Sequence, residues 1–182
     1  MHVMIDLETL GNRPNGLILQ IGAVLFEPAS GGKLLNNKGL RATVMPQDGG
    51  GTIDGGTIAW WFQQPNVGTL GKRMATEGVP LSDALKQLVE FPQTAHGIGW
   101  EAIQGVWSNG AAYDQPILAS SFALFGLDVP WHFRASECCR TLFKRVGGPP
   151  DIDWTGFEPH DALDDAIGQA MQVQKAMGML RG

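Results

Sequence analysis

Cysteine is nearly absent. Cys138 and Cys139 are the only two in 182 residues, and they are neighbours. Adjacent cysteines rarely bridge each other, no third thiol offers a partner, and the pair lacks zinc-site spacing. A reduced, cytoplasmic-type protein is expected. No stretch approaches the ~20 apolar residues of a membrane span. No signal-peptide pattern precedes the first apolar run, which begins almost at Met1. Positive charge is also scarce, with 13 Lys and Arg against 18 Asp and Glu and a net charge of -5. That excludes the global signature of a tight non-specific DNA binder, but not an acidic site masked by metal. There is no internal repeat and no low-complexity tail. The Gly-rich stretch 47–56, carrying Asp48 and Asp54, lacks the Gly-Lys-Ser/Thr ending of a phosphate loop and is expected to be a surface loop.

The composition that remains, 43% hydrophobic and 17% charged, is that of a soluble globular protein. The length suits one domain over residues 1–182 with a full core. A strand is expected over Val3–Leu7. The nearly continuous apolar run Leu17–Phe26 has the character of a central strand covered on both faces. Leu40–Met45 alternates as a third strand, and the short connections suggest an antiparallel meander. Helices are expected from Thr57 (as N-cap) to Gln64, from Ser82 (as cap) to about Phe91, over Pro116–Phe125, over Glu137–Val146, and from near Asp161 to about Met179. A short buried strand is expected over Gly105–Asn109 and another near Trp131–Arg134. The order predicts an α/β layered domain with a mixed sheet.

The acids define the chemistry. Asp6 and Glu8 lie two apart on the first strand, so they point to one face about 7 Å apart along the chain. Two acids on one face of a buried strand are costly unless a cation neutralises them, and oxygen ligands suit a divalent metal. Asp114 follows a buried strand in Asn109-Gly-Ala-Ala-Tyr-Asp114. Asp165 lies in the last helix in His160-Asp-Ala-Leu-Asp-Asp165. Asp161 and Asp164 share that helix, and its apolar pattern does not by itself choose among the three acids.

This set resembles the DnaQ-like exonucleases of the DEDDh type, in the ribonuclease H-like fold. Asp6-Leu7-Glu8-Thr9 matches that family's first motif, Asn109 through Asp114 its second, and His160 through Asp165 its third, so the resemblance spans residues 6 to 165. The stretch Asp6-Leu-Glu-Thr-Leu-Gly11 and the Trp60-Trp61 segment are most similar to phage and bacterial exoribonuclease-type members, such as the RNase AS-like group. The resemblance implies a mixed sheet, with an antiparallel meander followed by parallel strands, flanked by helices. It implies two Mg²⁺ or Mn²⁺ ions held by Asp6, Glu8, Asp114 and Asp165, with Asp6 bridging both, and His160 as general base. It makes Asp165, rather than its neighbours, the acid of the third motif. The expected activity is 3′→5′ removal of nucleoside monophosphates from single-stranded ends, RNA somewhat ahead of DNA. Alternatives are a DNA-directed exonuclease of repair, recombination or proofreading, an endonuclease on the same fold, and a non-catalytic nucleic-acid-binding module. Relatives are often dimers, so a homodimer is an open expectation.

The resemblance also marks substrate contacts. Thr9 and Leu10 follow the metal strand, where relatives touch the 3′ nucleotide. Trp60 and Trp61 lie where relatives line the terminal-nucleotide pocket. They point in different directions, so one is expected in the core and the other free to stack on a base. Gln64 is a weaker candidate, and Asn109 orients the second motif or touches substrate. Glu137, Arg140, Lys144 and Arg145 are expected to be solvated surface charge. His2, His96 and His132 are expected to be structural or exposed.

Overall fold

A computed structural model describes residues 1–29, 31–35, 38–46 and 50–181. Asp48, placed in a surface loop on sequence grounds, lies outside them. The strands are β1 (His2–Thr9), β2 (Ile18–Phe26), β3 (Leu40–Thr43), β4 (Gly105–Ser108) and β5 (Ser136–Cys138). The helices are α1 (Gly55–Trp61), α2 (Val67–Glu77), α3 (Leu81–His96), α4 (Asp114–Ala123), α5 (Cys139–Arg145) and α6 (Ala162–Met179). One sheet runs in the order β3-β2-β1-β4-β5. The first three strands form the antiparallel meander, and β4 and β5 add in parallel.

Alternation along β1 sorts its side chains onto two faces. Val3, Ile5 and Leu7 pack with Leu85 and Leu88 of α3 and with Ile117 and Leu118 of α4. Met4 packs on the opposite face with Cys139 and Leu142 of α5 and with Ala166, Ala170 and Val173 of α6. Asp6 and Glu8 continue the Met4 face beyond that core, toward the start of α6. All nine residues of β2 are buried, as a strand covered on both sides must be. Its Gly22 pairs with Asp6. A Cβ there would lie 2.0 Å from the Ala162 carbonyl oxygen, so glycine is what lets α6 begin hard against the sheet. Gln20 locks that approach: its side-chain oxygen accepts from the Ala162 amide at 2.7 Å.

Several expected boundaries shift, each for a local reason. Asp54, not Thr57, caps α1, its carboxylate accepting from the Thr57 amide at 2.9 Å. Helix α3 starts at Leu81 behind Pro80 rather than behind a Ser82 cap, and it continues through Pro92 to a left-handed Gly97. Helix α4 opens at Asp114, two residues early. Pro116 sits in the first turn, where its missing N–H has no partner to lose. The strand expected near Trp131–Arg134 is instead a 3₁₀ turn over Phe133–Ala135, and the chain joins the sheet directly after it, at Ser136. Glu137 therefore lies on edge strand β5 rather than in a helix, and α5 begins at Cys139. The exposed Ser136 and Glu137 carry no alternating apolar signal for a strand. Helix α2 was not expected at all: it holds two glycines and buries only Leu70. Among the described residues no helix is long and apolar enough to cross a membrane.

Candidate active site

The acids marked in the sequence meet at one end of the sheet. Asp6 and Glu8 come from β1, Asp114 from the start of α4, Asp165 from the first turn of α6, and His160 from the turn before it. All five line one cavity of about 680 Å³, together with Thr9, Trp60, Trp61, Asn109, Tyr113, Arg140 and Gln169. Glu8, His160 and Asp165 each offer a donor atom, and these atoms lie within 4.8 Å of one another. Glu8 and Asp114 are buried; Asp6, Asp165 and His160 are half-buried.

Burial first, and like-charge neighbours second for three of the four, make these acids hard to ionise. Burial, then the charges of Asp114, Glu8 and Asp165, hold Asp6 well above the usual carboxylate range, against a hydrogen bond from Gln169. Glu8 is pushed up to about 9 by burial and then by Asp165, Asp161 and Asp114. Burial lifts Asp114 to about 7, opposed by backbone amides, Arg140 and Ser108. Asp165 rises to about 6, again chiefly through burial. Burial lowers the His160 pKa, favouring the neutral ring that can take a proton. Four hard oxygen donors and one imidazole fit divalent Mg²⁺ or Mn²⁺ by ligand type, and a bound cation would reverse the cost of ionising the acids.

The turn bearing His160 is held from three elements. His160 has φ of 57°, a left-handed conformation rare outside glycine. Asn66, at the start of α2, donates to the carbonyls of Pro159 and His160. Asp161 is buried and caps α6, accepting from the Asp164 amide. Its carboxylate pairs with Arg41 of β3 at 2.7 Å and with Arg73 of α2. Arg73 also reaches Glu158 at 2.9 Å, and Arg41 reaches Asp164 at 3.1 Å. Two remote arginines thereby clamp the segment 158–164. Unpredicted helix α2 supplies one of them.

The two tryptophans divide, one buried and one open. Trp61 is buried, its indole N–H donating to the Thr9 carbonyl at 2.8 Å. Trp60 is 41% exposed, with its ring 4.7 Å from that of His160. Thr9 lies on the cavity wall, its hydroxyl bonded to the Gly11 carbonyl and the Tyr113 hydroxyl. Leu10 does not line the cavity; it packs with Leu17, Leu19, Trp61 and Leu70. Gln64 also lies outside the cavity wall and donates to the Trp60 carbonyl. Asn109 is on the wall. Arg140, expected to be surface charge, is exposed and also lines the cavity beside Gly110, where it acts on Asp114. Gln169 and Tyr113 went unmarked in the sequence. Gln169 lies one turn after Asp165 on the same helix face, a spacing that could have found it, and it donates to Asp6 at 2.8 Å. The other histidines are peripheral: His2 accepts from the Trp107 indole, and His132 accepts from the Arg134 amide.

This ribonuclease H-like sheet is the fold of several solved nucleases. The chain superposes on cell-death related nuclease 4 (CRN-4) with a TM-score of 0.68 at 16% identity, over 97% of this chain and 63% of that one. It thus spans less than two thirds of that protein's length. Exonuclease X, solved with 5′ overhanging duplex DNA, matches at 0.59 and 17% identity, over 98% and 92% of the two chains. The nuclease domain of 3′hExo, a DEDDh family member solved with rAMP, matches at 0.60 and 17%, over 98% and 90%. No curated protein matches the sequence. The chain belongs to the family of Rv2179c-like 3′–5′ exoribonuclease domains, matched over residues 1–177, and by class it is a 3′–5′ exonuclease.

Proposed function

We propose that this chain removes nucleoside 5′-monophosphates one at a time from the 3′ end of single-stranded nucleic acid, RNA ahead of DNA, as a single domain over residues 1–182. The observation that carries this is the convergence of Asp6, Glu8, Asp114, Asp165 and His160, from three remote stretches of chain, on one cavity. The family description supports RNA, and the first-strand and tryptophan motifs support kinship with the RNase AS-like group.

In this proposal Asp6, Glu8, Asp114 and Asp165 hold two Mg²⁺ or Mn²⁺ ions. Such ions, when bound, supply charge to the phosphodiester and acidify a water. The chain's own residues do the rest. Neutral His160 takes the proton of the water that attacks phosphorus. As the water oxygen bonds to phosphorus, the P–O bond to the 3′ oxygen of the penultimate nucleotide breaks, and that oxygen takes up a proton from solvent to leave as a new 3′ hydroxyl. Trp60 stacks on the terminal base, a contact indifferent to sequence. Gln169 fixes the orientation of Asp6, and the Arg41–Asp161–Arg73 clamp keeps His160 in its left-handed turn.

The test uses 5′-labelled single-stranded RNA and DNA of one sequence with Mg²⁺, Mn²⁺ or EDTA, beside His160→Ala. A metal-dependent ladder shrinking from the 3′ end and lost in the variant is expected, faster on RNA. No ladder in any metal would overturn the proposal, and a faster DNA ladder would overturn the RNA preference.

A further inference from the structure

A second cavity of about 550 Å³ adjoins the first on the α5–α6 side, and the two share Asn109, Arg140, Asp165 and Gln169 as a common wall. Of the four site carboxylates, Asp165 therefore sits at the junction of the two concave spaces, with the other three on the side of the first. Beyond the junction, the second space has an apolar wall from Phe143, Pro149 and Trp154 and a basic rim from Lys144 and Arg140. Both cations are exposed, in a chain whose net charge is -5.

Trp154 is a built platform rather than a stray surface indole. Its ring lies so close on α6 that a Cβ at Gly168 would come within 2.2 Å of it. Phe157 braces it edge-on at 5.6 Å, yet 41% of the residue is left open to solvent. Gln172 fixes the facing loop by donating to the Pro150 carbonyl at 3.0 Å. The nearby Asp153 carboxylate is engaged by the Thr155 amide at 2.9 Å.

We propose that this second cavity binds the nucleotide on the 5′ side of the scissile phosphate, its base on Trp154 and its phosphates along Lys144 and Arg140. The proposal rests on the exonuclease function above and extends it. A strand cut at the junction with its terminal nucleoside beside Trp60 must leave by another route, and the second cavity is continuous with the centre and carries cations and an open aromatic. Stacking plus phosphate contacts is how single strands are gripped without sequence preference.

The experiment compares a single-stranded RNA 10-mer with uridine 5′-(p-nitrophenyl phosphate), whose hydrolysis needs the same centre but which has no nucleotide on the 5′ side. For Trp154→Ala the ratio of kcat/KM on RNA to that on the ester should fall roughly fivefold or more, as for a lost base stack. Lys144→Glu should lower the same ratio, and Lys144→Ala should reduce the slope of log kcat/KM on RNA against log salt by about 0.7. Lys144 is exposed, so its variants stay informative if Trp154→Ala fails to fold. An unchanged ratio and slope in variants of an active enzyme would overturn the subsite alone. A wild-type protein inert on both substrates in Mg²⁺ and Mn²⁺ would instead refute the exonuclease function, and the subsite would fall with it.

Discussion

Asp161→Ala is the sharpest test of how the site is built. The carboxylate is buried, accepts from Arg41 Nε at 2.9 Å and Nη2 at 2.7 Å, pairs with Arg73, and caps α6 through the Asp164 amide. Removing one partner of a buried ion pair typically costs about 3–5 kcal/mol. Here both guanidiniums keep partial contact with water, at 29% and 22% exposure, and each retains a second acid in Asp164 or Glu158. The pair contribution should therefore fall toward about 2 kcal/mol. Loss of the cap adds about 1 kcal/mol. The sum, about 3 kcal/mol, corresponds to a fall in Tm of roughly 6–12 °C for a chain of this size. Asp161 also helps to raise the pKa of Glu8, so its removal eases a repulsion wherever Glu8 is ionised. Asp161 likewise helps to raise Asp165, to about 6, so denaturation in urea with EDTA at about pH 5, below both values, keeps both offsets small. Asp161→Asn retains the cap oxygen without the charge and should recover about 1 kcal/mol. Both variants should lower kcat by loosening the His160 turn. A loss below 1 kcal/mol for Asp161→Ala, with wild-type kcat, would refute the clamp.

His160→Ala should reduce single-turnover cleavage about 10²- to 10⁴-fold with little change in RNA affinity, and an equal loss of binding would contradict a proton-transfer role. The two tryptophans should separate by assay. Trp60→Ala should raise KM roughly fivefold with unchanged stability, whereas Trp61→Ala should cost about 3–5 kcal/mol in urea. The acids predict a pH dependence of the metal-free protein. Asp165, Asp114 and Glu8 have folded pKa values raised to about 6, 7 and 9. Between the unfolded values, near 4, and these, the native state holds more protons than the unfolded chain. Stability is therefore full below about pH 4 and declines as pH rises through each folded value. Urea midpoints in EDTA should fall from pH 5 to pH 9, and Mg²⁺ or Mn²⁺ should flatten that fall; midpoints that climb with pH would contradict the electrostatics of the site.

Local pattern determined a good deal about this protein. A period of two put Asp6 and Glu8 on one strand face, and the unbroken run Leu17–Phe26 marked a doubly covered strand. The spacing from His160 to Asp165 marked the third motif through its resemblance to a known family. Tertiary structure decided what depends on contacts across long stretches of chain. It buried Trp61 against Thr9 and left Trp60 open beside His160. It set the exposed Arg140 on the cavity wall. It brought Arg41 and Arg73, 120 and 88 residues from Asp161 in the chain, onto one carboxylate. No local periodicity encodes such pairings. A buried charge takes its partner from whichever element the topology places beside it, and helix α2, weak in its own propensity, has its place through that contact and through the burial of Leu70.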